Sequence, residues 1–213
     1  MSNYEYQGTT LVGIPQNLQT CIIETYVTGL GEFFAQNSKT TLKKFVFLSP
    51  SSLTKLTGYA FSDLPNLQSI DFTNCSKLTE VNSHIFLNSI NLRNVIFPDC
   101  LIFFDTDVFV LTSLESFKIP RNLYRTGSRS FANLTTLRRV DFSDATSLEW
   151  IYYDCFSGCT AIEEIDLRNC VSLNRISPNA FYGCTRLTTV YLPPHVSSLQ
   201  IEENGFFKLY QSL

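Results

Sequence analysis

Seven cysteines and two histidines are the residues of this sequence whose chemistry is easiest to name. A cysteine in hydrogen-bond contact with a histidine can act as a nucleophile, and four cysteine sulfurs can hold zinc. Neither His84 nor His195 has an evident orienting carboxylate in the sequence, and the short catalytic and nucleotide-binding motifs are missing. The sequence therefore predicts no catalytic residue, no cofactor and no enzyme activity. The set of sulfurs considered for a metal or disulfide site is Cys155, Cys159, Cys170 and Cys184.

A repeating pattern organises most of the chain. The pattern L-x-x-L-x-L-x-x-N/C, with other apolar residues allowed at the Leu positions, occurs seven times, and successive copies start 22 to 25 residues apart. The copies start at Leu42, Leu67, Leu92, Leu114, Leu137, Ile162 and Leu187. A second apolar column keeps the same register, at Phe61, Phe86, Phe109, Phe131, Phe156, Phe181 and Phe206. Two columns in one register indicate stacked structural units of one kind.

Within each copy, the L-x-L segment alternates and predicts a short strand with one buried face. One copy cannot bury that face, but stacked copies can, because their strands pair in parallel and the phenylalanines close the core from the other side. The sequence therefore predicts a leucine-rich-repeat solenoid. We expect a parallel β-sheet on its concave face and irregular, short helical or 3-10 return segments on its convex face. Residues 1–41 are expected to be an N-terminal cap or degenerate first repeat, residues 42–205 about seven units, and residues 206–213 a truncated last unit or C-terminal cap.

Repeat position also accounts for the cysteines. Cys159 and Cys184 lie three residues after the repeat phenylalanine, and Cys75, Cys100 and Cys170 take the N/C position. A small polarizable side chain suits a tight turn and can make a weak hydrogen bond to the backbone. Free structural thiols are therefore the preferred interpretation. A disulfide between adjacent units and a zinc site are the alternatives.

Two segments resemble BspA-type leucine-rich repeats. They are residues 155–170 and 176–193, which carry the pattern AF-x-G-C-x-x-L-x-x-V-x-LP and the spacer N-C-x-x-L, also found at Asn74-Cys75. Members of this family are surface antigens and adhesins of bacteria and protist parasites. The resemblance implies a non-enzymatic protein-protein interaction module, involved in adhesion or surface recognition of host or cell proteins, and a cell-surface location.

Composition and the chain start favour a second interpretation, an intracellular scaffold. The N-terminus has no basic start followed by an apolar run, which favours a cytoplasmic location. No apolar stretch approaches the roughly 18 residues of a membrane span, so we expect no membrane insertion by this chain. The net charge of −3 gives no basic footprint for nucleic acid. A thiol enzyme is a remote third interpretation.

The strand residues between the core positions are the candidate partner-binding residues, because a solenoid presents this face as a broad, rigid surface. The alternative is a solvated face with cross-strand ion pairs such as Arg139–Glu164. The residues predicted to contact a protein partner of unknown identity are Asp71, Lys118, Arg139, Asp141, Glu164, Asp166 and Tyr191.

The C-terminal end carries a separate expectation. Solenoids need a polar terminal cap, and the last residues are apolar instead. An uncovered strand edge at residues 187–192 is a template for pairing, which predicts a homodimer through the C-terminal repeats. A local helix or loop that caps the core is the alternative. The residues assigned to self-association are Phe207, Leu209, Tyr210 and Leu213.

Overall fold

The computed structural model describes residues 4–194 and 196–206, which form a parallel-strand β-solenoid of about seven turns with almost no helix. The predicted leucine-rich-repeat solenoid is therefore confirmed. Two 3-10 helices are described, at Gln36–Ser38 and Val196–Ser198. The strands of the described residues are β1 (Glu5–Gln7), β2 (Thr10–Gly13), β3 (Thr20–Ile23), β4 (Gly29–Leu30), β5 (Lys44–Phe47), β6 (Lys55–Leu56), β7 (Ser69–Asp71), β8 (Glu80–Val81), β9 (Asn94–Ile96), β10 (Phe103–Phe104), β11 (Ser116–Lys118), β12 (Arg139–Asp141), β13 (Trp150–Ile151), β14 (Glu164–Asp166), β15 (Arg175–Ile176), β16 (Thr189–Tyr191) and β17 (Gln200–Ile201).

The main sheet consists of the strands that the L-x-L pattern predicts, with one further strand before them. Its strands are β3, β5, β7, β9, β11, β12, β14 and β16. Burial alternates along them as the pattern requires; in β7, Ile70 is buried between exposed Ser69 and Asp71. Parallel ladders join β3 to β5, β7 to β9, β11 to β12 and β14 to β16. The apolar face of this sheet forms one wall of the core.

A second sheet runs beside the main one, and the sequence did not predict it. Its two-residue strands β6, β8 and β10 pair in parallel, as do β13, β15 and β17, and single bridges through Arg125 connect the two groups. The apolar step after the main strand, seen in the sequence at Val81, Ile151 and Ile176, provides the buried residue of β8, β13 and β15. At the N-terminal end, β2 pairs in parallel with β4 and in antiparallel with β1.

The return segments consist of turns and form a third hydrogen-bonded ladder between units. The amide of Phe131 donates to the carbonyl of Cys155 at 2.9 Å, and the amide of Phe156 donates to that of Ala180 at 2.8 Å. These turns need residues with positive φ, among them Asn88, Asn133 and Gly158. Because these hydrogen bonds between units pair the polar groups of the backbone, the return segments do not need helices to do so.

The phenylalanine column is continuous through the core. Rings of consecutive units lie 4.7 to 5.6 Å apart from centroid to centroid, from Phe34 to Phe206, and every member is buried. Phe34 extends the column by one unit beyond the predicted first member, Phe61. Because each ring packs against the ring above and the ring below, the stack is one continuous apolar interior.

The two ends of the described stack differ from its middle. At the N-terminal end, Tyr4 packs against the core next to Cys21, and burial raises the pKa of its phenol. At the other end, Val190, Leu192 and Ile201 are only partly buried, whereas their counterparts in the preceding unit, Ile165, Leu167 and Ile176, are fully buried. Among the described residues, no strand pairs with the outer edge of β16.

Candidate protein-binding surface

The outward face of the main sheet holds all the residues that the sequence assigns to partner binding. Asp71, Lys118, Arg139, Glu164 and Tyr191 are exposed, and Asp141 and Asp166 are half-buried. The structure thus brings these seven side chains onto one surface. It aligns Lys118 with Asp141 and Asp166 with Tyr191 on directly paired strands. Their role in binding stays a prediction.

Two grooves open on this face where ladders are missing between neighbouring strands. No ladder joins β12 to β14 among the described residues, and a groove of about 540 Å³ there is lined by Arg139, Asp141, Glu164 and Asp166. A second groove of about 670 Å³ lies between β9 and β11, and Ile96, Phe97 and Lys118 line it. The regular spacing of the repeats does not predict these grooves. The main sheet is therefore corrugated, with one polar and one more apolar depression.

At the C-terminal end of this face, an arginine that sequence reasoning missed connects two predicted residues. Arg168 donates from Nε to Oδ1 of Asp166 at 2.9 Å and from its terminal nitrogen to Oδ2 at 2.7 Å. Its guanidinium carbon also lies 4.5 Å from the ring centroid of Tyr191. These hydrogen bonds hold the pKa of Asp166 below its ordinary value. The D-x-R order is the signal that could have identified Arg168, since both side chains leave the same face of an extended segment.

A second missed residue, Asp144, neutralises Lys118. Lys118 Nζ lies 2.7 Å from Asp144 Oδ2, and this hydrogen bond raises the pKa of the lysine and lowers that of Asp144. Asp141 is affected differently. Burial raises its pKa, but hydrogen bonds from Ser143 and the nearby charges of Arg139 and Lys118 outweigh burial, so the pKa lies below its ordinary value. The carboxylates of Asp141, Asp144 and Asp166 are therefore charged at neutral pH.

Arg139 has no ion-pair partner among the described residues. The cross-strand ion pair Arg139–Glu164, the example given for a solvated face, does not form, because the described residues place no carboxylate oxygen within 4.0 Å of the Arg139 nitrogens. The two residues lie on β12 and β14, the strands that the polar groove separates. An exposed cation without a partner is therefore available at the edge of this groove.

The cysteines are free and mostly buried, in line with the preferred interpretation. Cys159 and Cys184 donate from Sγ to the carbonyls of Phe131 and Phe156 at 2.9 and 3.2 Å, the same contact in two consecutive units. Burial raises the pKa of Cys155 and Cys184 to about 12, which leaves little of the nucleophilic thiolate near neutral pH. Cys100 is the half-buried member, and its Sγ lies 3.1 Å from the carbonyl oxygen of Leu78. Within the described residues, no three His, Cys, Asp or Glu side chains are placed to hold a metal ion.

His84 differs from its sequence-based description, because it does have a neighbouring carboxylate. Its Nε2 lies 3.4 Å from Oδ2 of Asp107, which is buried and receives two hydrogen bonds from Arg129 at 2.6 and 2.9 Å. The imidazole stacks on the ring of Tyr59, with 5.0 Å between centroids. These residues occupy one column of the return turns, one repeat apart. The cluster has a structural explanation, since it satisfies the buried carboxylate. His195, Phe207, Leu209, Tyr210 and Leu213 lie outside the described residues.

The sequence model of the BspA type leucine rich repeat region matches residues 15–111 and 104–211, with six copies. The chain belongs to the BspA-type leucine-rich-repeat family. Leucine-rich-repeat proteins generally mediate protein interactions, and the family and fold are typically non-enzymatic. No curated protein matches the sequence.

Solved structures of other leucine-rich repeat proteins show the same fold. A leucine-rich repeat protein from Bacteroides ovatus is 20% identical, with a TM-score of 0.76 over 93% of this chain and 53% of the other. The leucine-rich repeat protein of T. pallidum is 15% identical, with a TM-score of 0.57 over 90% of this chain and 80% of the other. One from Eubacterium ventriosum is 17% identical, with a TM-score of 0.53 over 84% of this chain and 67% of the other. The BspA-type chain described here thus spans about half the length of the Bacteroides protein.

Proposed function

We propose that this BspA-type chain is a non-enzymatic module that binds a protein partner with the outward face of its main sheet, in adhesion or surface recognition. The observation that carries the proposal is the polar groove between β12 and β14. It combines an unpaired Arg139 with the ordered carboxylates of Asp141 and Asp166 on a rigid scaffold. Charge of both signs next to the exposed ring of Tyr191 provides the directional contacts that specific protein interfaces use.

Charge variants of this face provide the test. Arg139→Glu reverses the charge at the groove, Arg139→Gln removes it, and Lys55→Glu makes the same reversal on the second sheet, where Lys55 is exposed. Cross-linking on cells that carry each variant, followed by mass spectrometry, identifies the neighbouring proteins. We expect one protein that the wild type and Lys55→Glu capture and that both Arg139 variants lose. Identical sets of proteins for all four chains would refute a role of this face.

The cell-surface location is part of the same proposal and rests on the family. Among the described residues, no helix is long and apolar enough to cross a membrane. Antibody labelling of intact, unpermeabilised cells tests the location directly, and we expect labelling before permeabilisation. Labelling that needs permeabilisation would favour the intracellular scaffold.

The domain limits and the self-association surface also remain proposals. Residues 1–41 are proposed to act as an N-terminal cap or degenerate first repeat. The parallel pairing of β3 with β5 and the edge-on packing of Phe34 against Phe61 favour the repeat. A homodimer through the C-terminal repeats is proposed because the outer edge of β16 pairs with no strand among the described residues and because Val190 and Leu192 are partly exposed. Light scattering over a wide concentration range tests it, and a monomer at every concentration would refute it.

A further inference from the structure

The outward side of the second sheet carries a ladder in which aromatic rings alternate with guanidinium groups. Phe103, Arg125, Trp150 and Arg175 occupy one column, connected by parallel bridges from unit to unit. The guanidinium of Arg125 lies 5.0 Å from the ring centroid of Phe103 and 5.4 Å from that of Tyr152. The guanidinium of Arg175 lies 4.5 Å from the ring centroid of Trp150. Stacking of this kind fixes the plane of a guanidinium and leaves the donors at its edge available.

The two arginines of the ladder differ in how their charge is satisfied. Arg175 donates from Nε to Oε1 of Glu202 at 2.7 Å, and Glu202 lies 27 residues further along the chain. The residue 27 positions after Arg125 is Tyr152. Its ring contacts the guanidinium but has no negative charge that would neutralise it. Among the described residues, Arg125 forms no ion pair within 4.0 Å and its side chain makes no hydrogen bond that the structure records. Arg175 is therefore paired with a carboxylate of the next unit, whereas Arg125 has an aromatic ring at the corresponding position.

The charged groups around Arg125 do not compensate for this difference. Asp105 Oδ1 accepts a hydrogen bond from the amide of Thr106 at 2.9 Å, and Glu149 Oε2 accepts one from Asn174 at 3.3 Å. Neither carboxylate forms an ion pair with Arg125, and Arg175 is already paired with Glu202. The site thus presents one unneutralised cation, which fits the single negative charge of a carboxylate better than a phosphoryl dianion.

The surroundings of Arg125 are held in place before any partner arrives. Trp150 donates from Nε1 to Oγ of Ser177 at 2.6 Å, and the amide of Tyr152 donates to Oγ1 of Thr126 at 2.9 Å. The ring centroids of Trp150 and Tyr152 are 4.5 Å apart. Ordered aromatic side chains of this kind contribute contact area at little cost in conformational entropy, which favours binding.

Two exposed apolar side chains directly precede members of the ladder in the sequence. Tyr124 is 44% exposed and Ile102 is 46% exposed, next to Arg125 and Phe103 in the sequence of their strands. Tryptophan, tyrosine and arginine are the residues enriched at binding hot spots. Trp150 is the only tryptophan of the chain, and it lies in this cluster.

We infer that the second sheet is an additional protein-binding surface, where Arg125 takes a carboxylate of an acidic peptide segment and Tyr124 and Ile102 contact an apolar residue beside it. Glu202 on Arg175 is the template for this contact within the chain itself. The planar fork of an arginine matches the two oxygens of a carboxylate and binds them through two parallel hydrogen bonds. This surface is distinct from the main-sheet face and does not depend on the function proposed for it.

Selection from random dodecapeptides displayed on phage tests the inference with the full chain. The wild type is used for selection, and Arg125→Gln is used in parallel as the matched variant. We expect peptides selected on the wild type to be enriched in Asp or Glu beside an apolar residue, and those selected on Arg125→Gln to lack this enrichment. Equal acidic content in the two sets would overturn the inference.

Affinities of one selected peptide then separate the contact from its surroundings, with the fluorescence of Trp150 as readout. Loss of a charged hydrogen-bonded pair predicts about 10-fold to 100-fold weaker binding to Arg125→Gln, and unchanged binding to Lys55→Gln on the same sheet. Glu202→Gln frees Arg175 and is expected to increase acidic-peptide binding. An unchanged affinity in Arg125→Gln with the wild-type circular dichroism spectrum, or tighter binding of the phosphoserine form of the peptide than of its glutamate form, would overturn the assignment.

Discussion

Replacing Phe131 by alanine should reveal how much of the stability comes from the stacked phenylalanines. Phe131 is fully buried, and the rings of Phe109, Phe117 and Phe156 each lie 4.9 Å from it. Removing such a ring loses its transfer free energy and leaves a cavity that rigid neighbours cannot fill, which costs about 3–5 kcal/mol. Phe206, at the end of the described column, has only the ring of Phe181 recorded against it, at 4.7 Å. Phe206→Ala should therefore cost about half as much.

Guanidinium chloride unfolding followed by circular dichroism measures both losses. For a chain of this length, about 4 kcal/mol corresponds to a melting temperature lowered by roughly 10 °C. Ile90→Ala serves as the surface control, since Ile90 is 49% exposed and should change the free energy of unfolding by less than about 1 kcal/mol. A cost below about 1.5 kcal/mol for Phe131→Ala, or an equal cost for Phe131→Ala and Phe206→Ala, would refute the stacked-core reasoning.

Three further predictions concern strain, charge and pH. Leu111 is 61% exposed at φ 59°, where neighbouring units have Asn88 and Asn133, so Leu111→Asn should raise the free energy of unfolding by about 1 kcal/mol; a destabilised variant in denaturant titrations would contradict this. Arg129→Gln leaves the buried Asp107 carboxylate with His84 alone and should lower the free energy of unfolding by about 1–3 kcal/mol. Adding Asp107→Asn to the same chain should recover most of this stability. Burial raises the pKa of Cys155 to about 12, above its unfolded value. The stabilisation by the protonated thiol is therefore complete below about pH 8.5 and declines as the pH rises towards 12, by up to about 1.4 kcal/mol per pH unit. Between pH 8 and 10.5, the free energy of unfolding should fall less with pH in Cys155→Ala than in the wild type, and an equal fall in both would contradict the assignment.

The main sheet and the core could be predicted because both have a strict periodicity. The L-x-L alternation fixes which side chains are buried, and the phenylalanine column repeats in the same register up to Phe206. The second sheet was less accessible. Its strands contain two residues each, which is too short for alternation, and its outward positions hold residues as different as Glu80, Arg125 and Trp150. Only its buried position, such as Val81, left a trace in the sequence.

Repeat spacing predicts some contacts between consecutive units and misses others. Residues one repeat apart are neighbours, and this spacing brings His84, Asp107 and Arg129 together. Had the rule been applied to His84, it would have found the carboxylate that a search of the nearby sequence missed. The same rule gave Arg139–Glu164 as an example of a cross-strand ion pair, and the described residues do not form it. Repeat spacing therefore brings residues of consecutive units close together but does not decide whether two exposed side chains pair. Arg93 and Glu115, which precede β9 and β11, form an ion pair although no ladder joins these strands among the described residues.

Neutralisation of surface charge decides which residues are available to a partner. On the main sheet, Asp166 is bound by Arg168 and Lys118 by Asp144, so these charges are partly used within the chain. Exposed pairs of this kind contribute little to stability, but they order the side chains that a partner would meet. Two of the cations without an ion pair among the described residues are Arg139, beside a polar groove, and Arg125, between two aromatic rings. Since the buried columns are constrained by the units above and below them and the outward columns are not, such sites can differ between members of the family without a change of fold.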